Sequence, residues 1–256
     1  MSDQWEIFPS TRTANPAFVV YDDGIRDDIN QLSQHLVVRC VVKFKSPTDE
    51  GFPTQEEFDS LMSVEDELVG LVTKSGGVYV GRITTEGSRQ FIFYWDTDPA
   101  ACEMLGREVG EKTAYEVSTS ISSDPDKRVY WDELFPTEQD WRVIWDMRVI
   151  EQLEEHGDNL SVEREIEHWV YFPNPELRMT FIPWATATGF TVEETPALDD
   201  SAQYGLKLSH VASPDLGTIS RYTLELLQEA KAHGGEYDGW ETFVIRPGEA
   251  GESVTH

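Results

Sequence analysis

The chain has 256 residues, enough for two average domains, and its 48 acidic and 20 basic side chains give a net charge of −28. A field of that sign repels phosphate groups, so direct binding to nucleic acid or to an anionic membrane surface is disfavoured, whereas a basic protein segment is attracted. The alternative interpretation is that the acidity only keeps the protein soluble. A hydrophobic content of 39%, with eight Trp, excludes global disorder.

The N-terminal half is predicted to be a mixed unit of strands and two helices. One helix begins at Thr54, where Glu57 three residues later predicts a capping box, and a second begins at Asp98 with Pro99 in the first helical position. The turn at residues 86–88 predicts a β-hairpin. Runs of β-branched and aromatic residues predict the strands, at residues 4–8, 16–21, 36–45, 78–87, 88–96, 114–121 and 128–131.

A third predicted helix, at about 139–155, connects the two halves. Its apolar residues form two stripes, one with Trp141 and Trp145 and the other with Val143 and Met147. A helix that is apolar on two sides is commonly buried between two surfaces. The sequence therefore predicts a helix that packs between the domains and holds them as one rigid body.

The C-terminal half repeats the order of elements. Its helices begin at Pro175 and after Asp215, and the second of them ends at Gly234. Its strands are predicted at residues 163–172, 190–194, 204–212 and 236–245. The order strand, helix, strand, strand, helix, strand, with helices on one face of an antiparallel sheet, is the ferredoxin-like arrangement.

We therefore predict an α+β protein of two ferredoxin-like (βαββαβ) α/β sandwich domains with mainly antiparallel sheets. The predicted division is a domain at 1–137, a linking helix at 138–158 and a domain at 159–256. Cys40 and Cys102 are too few for a disulfide framework. The N-terminal residues lack the features of a signal peptide, and no run approaches about 18 apolar residues, so we expect a cytoplasmic protein.

No sequence motif carries recognisable catalytic chemistry. The phosphate-binding, dinucleotide-binding, nucleophile-elbow and zinc-protease patterns do not occur, nor does a CxxC pair. Glu165 and His168 have the ExxH spacing of a di-iron ligand pair, but they fall on a predicted strand, where residues three apart point to opposite faces. We therefore predict no catalytic residue, no metal site and no cofactor.

Residues 236–241 form the most informative segment of the sequence. In a regular strand Glu236, Asp238 and Trp240 would share one face, and Gly239 permits a β-bulge or a close approach of another backbone. One interpretation is that Trp240 belongs to the core beside a local bulge. The other is a partner-binding patch in which aromatic residues anchor a protein partner and acids orient it. The residues of this candidate patch are Glu236, Tyr237, Asp238, Gly239, Trp240 and Glu241.

Residues 160–246 resemble the family called regulator of ribonuclease E activity B. The most specific similarity is the sequence GGEYDGWET at residues 234–242, and residues 187–190 (ATGF) also match. The opening strand contributes Arg164, Trp169, Tyr171 and Phe172 to the similarity. That family comprises small acidic bacterial proteins with a ferredoxin-like α/β sandwich. The resemblance implies a protein that binds an RNA-degrading endonuclease and restrains it, without enzymatic activity of its own.

Residues 4–136 look like an uncharacterised bacterial family, the domain of unknown function numbered six-nine-five. The matching pieces are residues 79–82 (YVGR), residues 91–94 (FIFY), and Tyr130 together with residues 134–136 (LFP). The family tends to carry a Trp shortly after the Asp of its last segment, where this chain has DKR at 126–128. Because the regulator family usually lacks this additional domain, the partner of this chain can differ from that of the family.

Three functions are compatible with the sequence. The first is a non-catalytic acidic binding protein, a regulator (inhibitor) of a ribonuclease E-type endonuclease that acts through protein–protein contact. The second is an immunity-like inhibitor of another basic protein, and the third is an unrecognised hydrolase that uses loop carboxylates. The acidity, the lack of catalytic motifs and the C-terminal resemblance favour the first. Its expected partner is a basic protein segment, with no direct contact to nucleic acid or membrane.

Overall fold

The computed structural model describes residues 4–12, 15–194 and 204–246. The chain divides into two compact units, Met1–Asp140 and Trp141–His256, which we call unit 1 and unit 2. Each unit has its own antiparallel sheet and its own buried core.

Unit 1 is built on a six-stranded sheet. Its strands are β1 (Trp5–Pro9), β2 (Ala17–Asp22), β3 (Leu36–Lys43), β4 (Val78–Thr85), β5 (Ser88–Tyr94) and β6 (Val117–Ser123), and its helices are α1 (Gln55–Lys74) and α2 (Pro99–Thr113). The spatial order is β1-β2-β4-β5-β3-β6, and all neighbouring strands are antiparallel. Strands β3 to β6 with the two helices are in ferredoxin-like order, and β1 and β2 extend the sheet beyond β4.

Helices α1 and α2 pack on one face of this sheet, against inward-facing residues of β3, β4 and β5. The buried apolar residues of α1, which follow the helical spacing, are Leu61, Val64, Leu68 and Val72. Cys40 and Cys102 lie in the same core as free thiols. Burial raises the pKa of Cys40 to about 12, so this thiol is protonated and unreactive at neutral pH.

The strand predicted at 128–131 is wrong. These residues lead into one wide turn of π-helix, Tyr130–Leu134. The cause is Asp124, whose carboxylate accepts hydrogen bonds from the backbone N–H groups of Arg128 (2.9 Å) and Val129 (2.9 Å). This local pairing satisfies the backbone without a neighbouring strand and outweighs the β-propensity of the sequence.

The capping box predicted at the start of α1 is also wrong. Thr54 makes no side-chain cap, and the Glu57 carboxylate reaches away from the helix. It accepts from the backbone N–H of Lys45 (2.7 Å) and of Ser46 (3.1 Å) and from the Tyr115 hydroxyl (2.8 Å). Although desolvation opposes them, these donors lower the pKa of Glu57, so the buried carboxylate is ionised and ties the loop after β3 to α1.

Unit 2 is a four-stranded ferredoxin-like sandwich. Its strands are β7 (Arg164–Phe172), β8 (Thr191–Glu194), β9 (Tyr204–Ala212) and β10 (Glu236–Glu241), and its helices α4 (Pro175–Thr188) and α5 (Leu216–Ala232) pack on one face. The order is β10-β7-β9-β8, with all pairs antiparallel. The predicted fold class, an α+β protein with two ferredoxin-like units, is confirmed. The last strand ends at Glu241, four residues before the predicted end.

The predicted third helix is observed as α3 (Glu138–Glu155). Its residues Ile150 and Leu153 join a core cluster of unit 2 with Ile166 of β7 and Trp240 of β10. Trp145, by contrast, is 48% exposed, so the expectation that both apolar stripes are buried is wrong at this residue. The division into two domains and a linking helix stays a prediction.

Candidate functional site

The candidate patch lies on β10, which forms one edge of the unit 2 sheet. The pairing of β10 with β7 slips between Tyr237 and Gly239, so Asp238 is an extra, bulged residue. Because of this bulge, Tyr237 and Trp240 both face the core and are only 6% and 7% exposed. The residues that stay exposed are Glu236, Asp238 and Glu241. The predicted bulge is confirmed, and the predicted sharing of one face by Trp240 and two acids is wrong.

The bulge does not require a glycine at position 239, because there is room for a side chain there. A Cβ atom placed there would meet Arg142 Nη1 at 3.8 Å, which is ordinary contact distance. A Cβ atom at this position would therefore fit in ordinary contact with the guanidinium of Arg142. With Tyr237 and Trp240 in the core, the exposed side chains of the segment are its acids.

A buried polar network holds Trp240 in place. The carboxylate of Asp146, on α3, accepts from Trp240 Nε1 (2.9 Å), Thr223 Oγ1 (2.5 Å) and Arg142 Nε (3.2 Å). All four side chains are buried. Desolvation raises the pKa of Asp146, and the Arg142 guanidinium and the two other donors oppose that rise.

The same arginine holds the bulge. Arg142 Nη1 donates to the backbone carbonyl of Asp238 (3.3 Å), and its guanidinium lies 5.3 Å from the ring centroid of Tyr237. The backbone that presents the Asp238 carboxylate is therefore fixed by a buried cation. A fixed backbone presents an exposed acid at a low entropic cost of binding.

Two histidines on the inner face of the sheet, the buried His168 and the half-buried His210, form a second polar chain. His168 Nδ1 lies 2.8 Å from the Tyr237 hydroxyl, and His168 Nε2 lies 3.0 Å from His210 Nε2. Burial lowers the pKa of His168 to about 3 and that of His210 to about 4, so both are neutral at pH 7. In the arrangement that gives the Tyr237 hydroxyl an acceptor, it donates to His168 Nδ1 and His168 Nε2–H donates to His210.

The ExxH spacing does not form a metal site. His168 is fully buried on the inner face of β7, whereas Glu165 is exposed on the other face, as expected for residues three apart on a strand. Among the described residues, no group of three or more His, Cys, Asp or Glu side chains is placed to hold a metal ion. No helix in the described ranges is both long and apolar enough to cross a membrane.

The sequence reasoning missed the acids of β7. Glu165 and Glu167 lie on the same outer face as the exposed acids of β10, and Glu241 is directly opposite Glu167 in the register. The signal was present in the sequence, where Glu165 and Glu167 stand on either side of Ile166 and so share one face of a strand. A cavity of about 260 Å³ lies between the two rows and is also lined by Thr242 and Phe243.

The two units together define an acidic α+β protein with two ferredoxin-like sandwiches. The chain belongs to the family of unknown function DUF695, whose model matches residues 3–135. Residues 144–242 match the model of the family described as Regulator of ribonuclease activity B. Both predicted resemblances are thus confirmed, and the second match includes α3 from residue 144 onward.

Similarities to individual proteins are weak. No curated protein matches this sequence. A crystal structure of a candidate glycine cleavage system transcriptional repressor shares 11% identity, covers 83% of this chain and 100% of its own, and has a TM-score of 0.25. The crystal structure of an unknown protein from Galdieria sulphuraria shares 10% identity over the same proportions, with a TM-score of 0.23. Scores this low do not define a common fold.

Proposed function

We propose that this protein is a non-catalytic regulator that restrains a ribonuclease E-type endonuclease through direct protein contact. The observation that carries the proposal is the match of residues 144–242 to the Regulator of ribonuclease activity B family. The region includes every strand and helix of the unit 2 sandwich. A sequence without recognisable catalytic motifs supports a role in binding. Buried free thiols at Cys40 and Cys102 suit a reducing compartment, so we place the protein in the cytoplasm.

The contact with the enzyme is made by the exposed acids of β10. Among the described residues, the carboxylates of Glu236, Asp238 and Glu241 have no ion-pair partner within 4.0 Å. They are therefore available to cationic side chains of a partner. The net charge of −28 speeds the approach of a basic segment and disfavours RNA as the direct ligand.

The test is a cleavage assay with a ribonuclease E-type endonuclease and a fluorogenic single-stranded RNA. The full-length protein should lower the cleavage rate in a saturable manner, and the effect should weaken as the salt concentration rises. An unrelated ribonuclease that cuts the same RNA is the control, because sequestration of the RNA would slow both enzymes. Undiminished cleavage by the first enzyme at saturating protein, or equal slowing of both enzymes, would refute the proposal.

A further inference from the structure

The unit 2 sheet has an outer face on the side opposite α4 and α5. Along β7, buried inward residues alternate with outward residues that are exposed or half-buried. The register of β8, β9 and β10 continues this face. We call it the outer sheet face, and its residues are Glu165, Glu167, Trp169, Tyr171, Thr191, Glu193, Gly205, Lys207, Ser209, Val211, Glu236, Asp238, Gly239 and Glu241.

The outer sheet face is strongly acidic. It carries six carboxylates and one cation, Lys207. Lys207 Nζ is already paired with Glu167 (3.0 Å) and Glu193 (3.3 Å). In the described ranges, Glu165 resembles the acids of β10 in having no ion-pair partner within 4.0 Å. Four carboxylates on this face therefore have no neighbouring cation to neutralise them. Their negative charge attracts a cationic ligand.

The same face carries apolar surface between and beside the acids. Trp169 and Tyr171 lie half-buried on β7, the strand next to the acids of β10. At one end of the face Val211 is 67% exposed, and Phe243, just after β10, is 57% exposed beside the cavity of about 260 Å³. Exposed apolar groups rimmed by charges are characteristic of a protein-binding surface.

We propose that the outer sheet face binds an extended, arginine-rich protein segment. Guanidinium groups pair with carboxylates in bidentate geometry and stack on aromatic rings, so arginine matches both components of the face. Outward side chains two residues apart on β7 are spaced by about 7 Å, the same repeat as alternate side chains of an extended peptide. An RNA strand or a second copy of this face would bring negative charge against the carboxylates.

This proposal deepens the proposed function. It rests on that function for one point only, the identity of the natural partner. Binding of a basic segment to this face can be measured without any ribonuclease. The probe is fluorescein-labelled hepta-arginine, titrated with the full-length protein and followed by fluorescence anisotropy at about physiological ionic strength.

The decisive variant neutralises three acids of the face, Glu165→Gln, Glu236→Gln and Glu241→Gln together. The matched control neutralises three exposed acids of α3 in the same unit. These are Glu151→Gln, Glu154→Gln and Glu155→Gln. Both triples change the net charge equally and keep side-chain shape. We expect about tenfold weaker binding of hepta-arginine by the first triple and less than about twofold by the second.

The aromatic component is tested by exchanging the probe. The wild-type protein should bind hepta-arginine several-fold more tightly than hepta-lysine, because only the guanidinium stacks well on aromatic rings. Trp169→Leu keeps an apolar side chain at the site and should reduce this preference toward unity. A melting curve for each variant verifies that the fold is retained, and the two Gln triples still decide the proposal if Trp169→Leu does not fold.

If the two Gln triples weaken the binding of hepta-arginine equally, the proposal is overturned. That result would show that the peptide is attracted to the net charge of the protein and not to the outer sheet face. Binding of a fluorescent RNA oligonucleotide that is lost in the first triple, or a dimer in sedimentation that the first triple dissociates, would overturn it in favour of a different occupant. The proposed function fails independently: peptide binding at the face with undiminished ribonuclease activity would keep this inference and reject the enzyme as partner.

Discussion

Replacement of Trp240 tests whether the candidate segment is core or surface. The indole is 7% exposed and packs with Ile150, Leu153 and Ile166, and its Nε1 donates to the buried carboxylate of Asp146 at 2.9 Å. Trp240→Ala should therefore destabilise unit 2 by about 3–5 kcal/mol, the usual cost of removing a buried aromatic side chain. Part of this cost comes from Asp146, which loses one of its donors without gaining water.

Trp240→Phe separates packing from hydrogen bonding. Phenylalanine keeps an aromatic ring in the core but cannot donate to Asp146, so we expect a loss of about 2 kcal/mol, intermediate between wild type and alanine. Trp145→Ala is the matched control, because Trp145 is 48% exposed and belongs to the same unit. That change should cost less than about 1 kcal/mol.

The assay is urea unfolding of the full-length protein followed by far-UV circular dichroism. With a urea dependence of about 1.5 kcal/mol per molar, Trp240→Ala should lower the midpoint of one transition by roughly 2–3 M. If the two units unfold separately, the second transition should not move. A midpoint shift below about 0.7 M, or a larger shift for Trp145→Ala, would refute the placement of Trp240 in the core.

Three further outcomes are expected. Asp238→Asn, at an exposed position, should leave the free energy of unfolding within about 0.5 kcal/mol of wild type while weakening the endonuclease complex. Unchanged inhibition by this variant would show that Asp238 is not part of the interface. Burial lowers the pKa of His168 to about 3, so the unfolded state takes up the proton first and the free energy of unfolding falls as the pH falls from about 6.5 toward 3. Between about pH 7 and pH 5.5 this histidine alone should lower the free energy of unfolding by about 1 kcal/mol. The His168→Gln variant should not show this part of the pH dependence. The third concerns metals: purified, tag-free protein should contain no stoichiometric metal by elemental analysis, and a chelator should not change its melting curve.

Much of the fold could be predicted because the local signals agree with the tertiary structure. The N-cap at Asp98 is one such signal, and its carboxylate accepts from Ala101 N–H at 2.9 Å. Asp215 caps α5 in the same way, through Thr218 N–H at 3.0 Å. In both cases the information lies within four residues of sequence, so no distant contact was needed to find the helix.

The failures have a different physical origin. At residues 128–131, β-branched and aromatic residues predict a strand. The carboxylate of the nearby Asp124 fixes a turn there instead, and a hydrogen bond from Tyr130 Oη to the distant carbonyl of Asp22 (2.8 Å) holds that turn in place. Glu57 likewise bonds to residues 45, 46 and 115, far from its own helix turn. Tertiary partners of this kind cannot be identified from spacing in one sequence, and they override local propensity.

The bulge at Asp238 could have been predicted more sharply than it was. Its apolar residues, Tyr237 and Trp240, are three apart, and a regular strand places such residues on opposite faces. With Trp240 inward, a regular strand would also bury Glu236 and Asp238, and an unpaired buried carboxylate costs several kcal/mol. One extra residue removes both conflicts, since it turns the two aromatic rings inward and every acid of the segment outward. The core packing of Trp240 and the outward placement of Glu236 and Asp238 are thus two consequences of the same inserted residue.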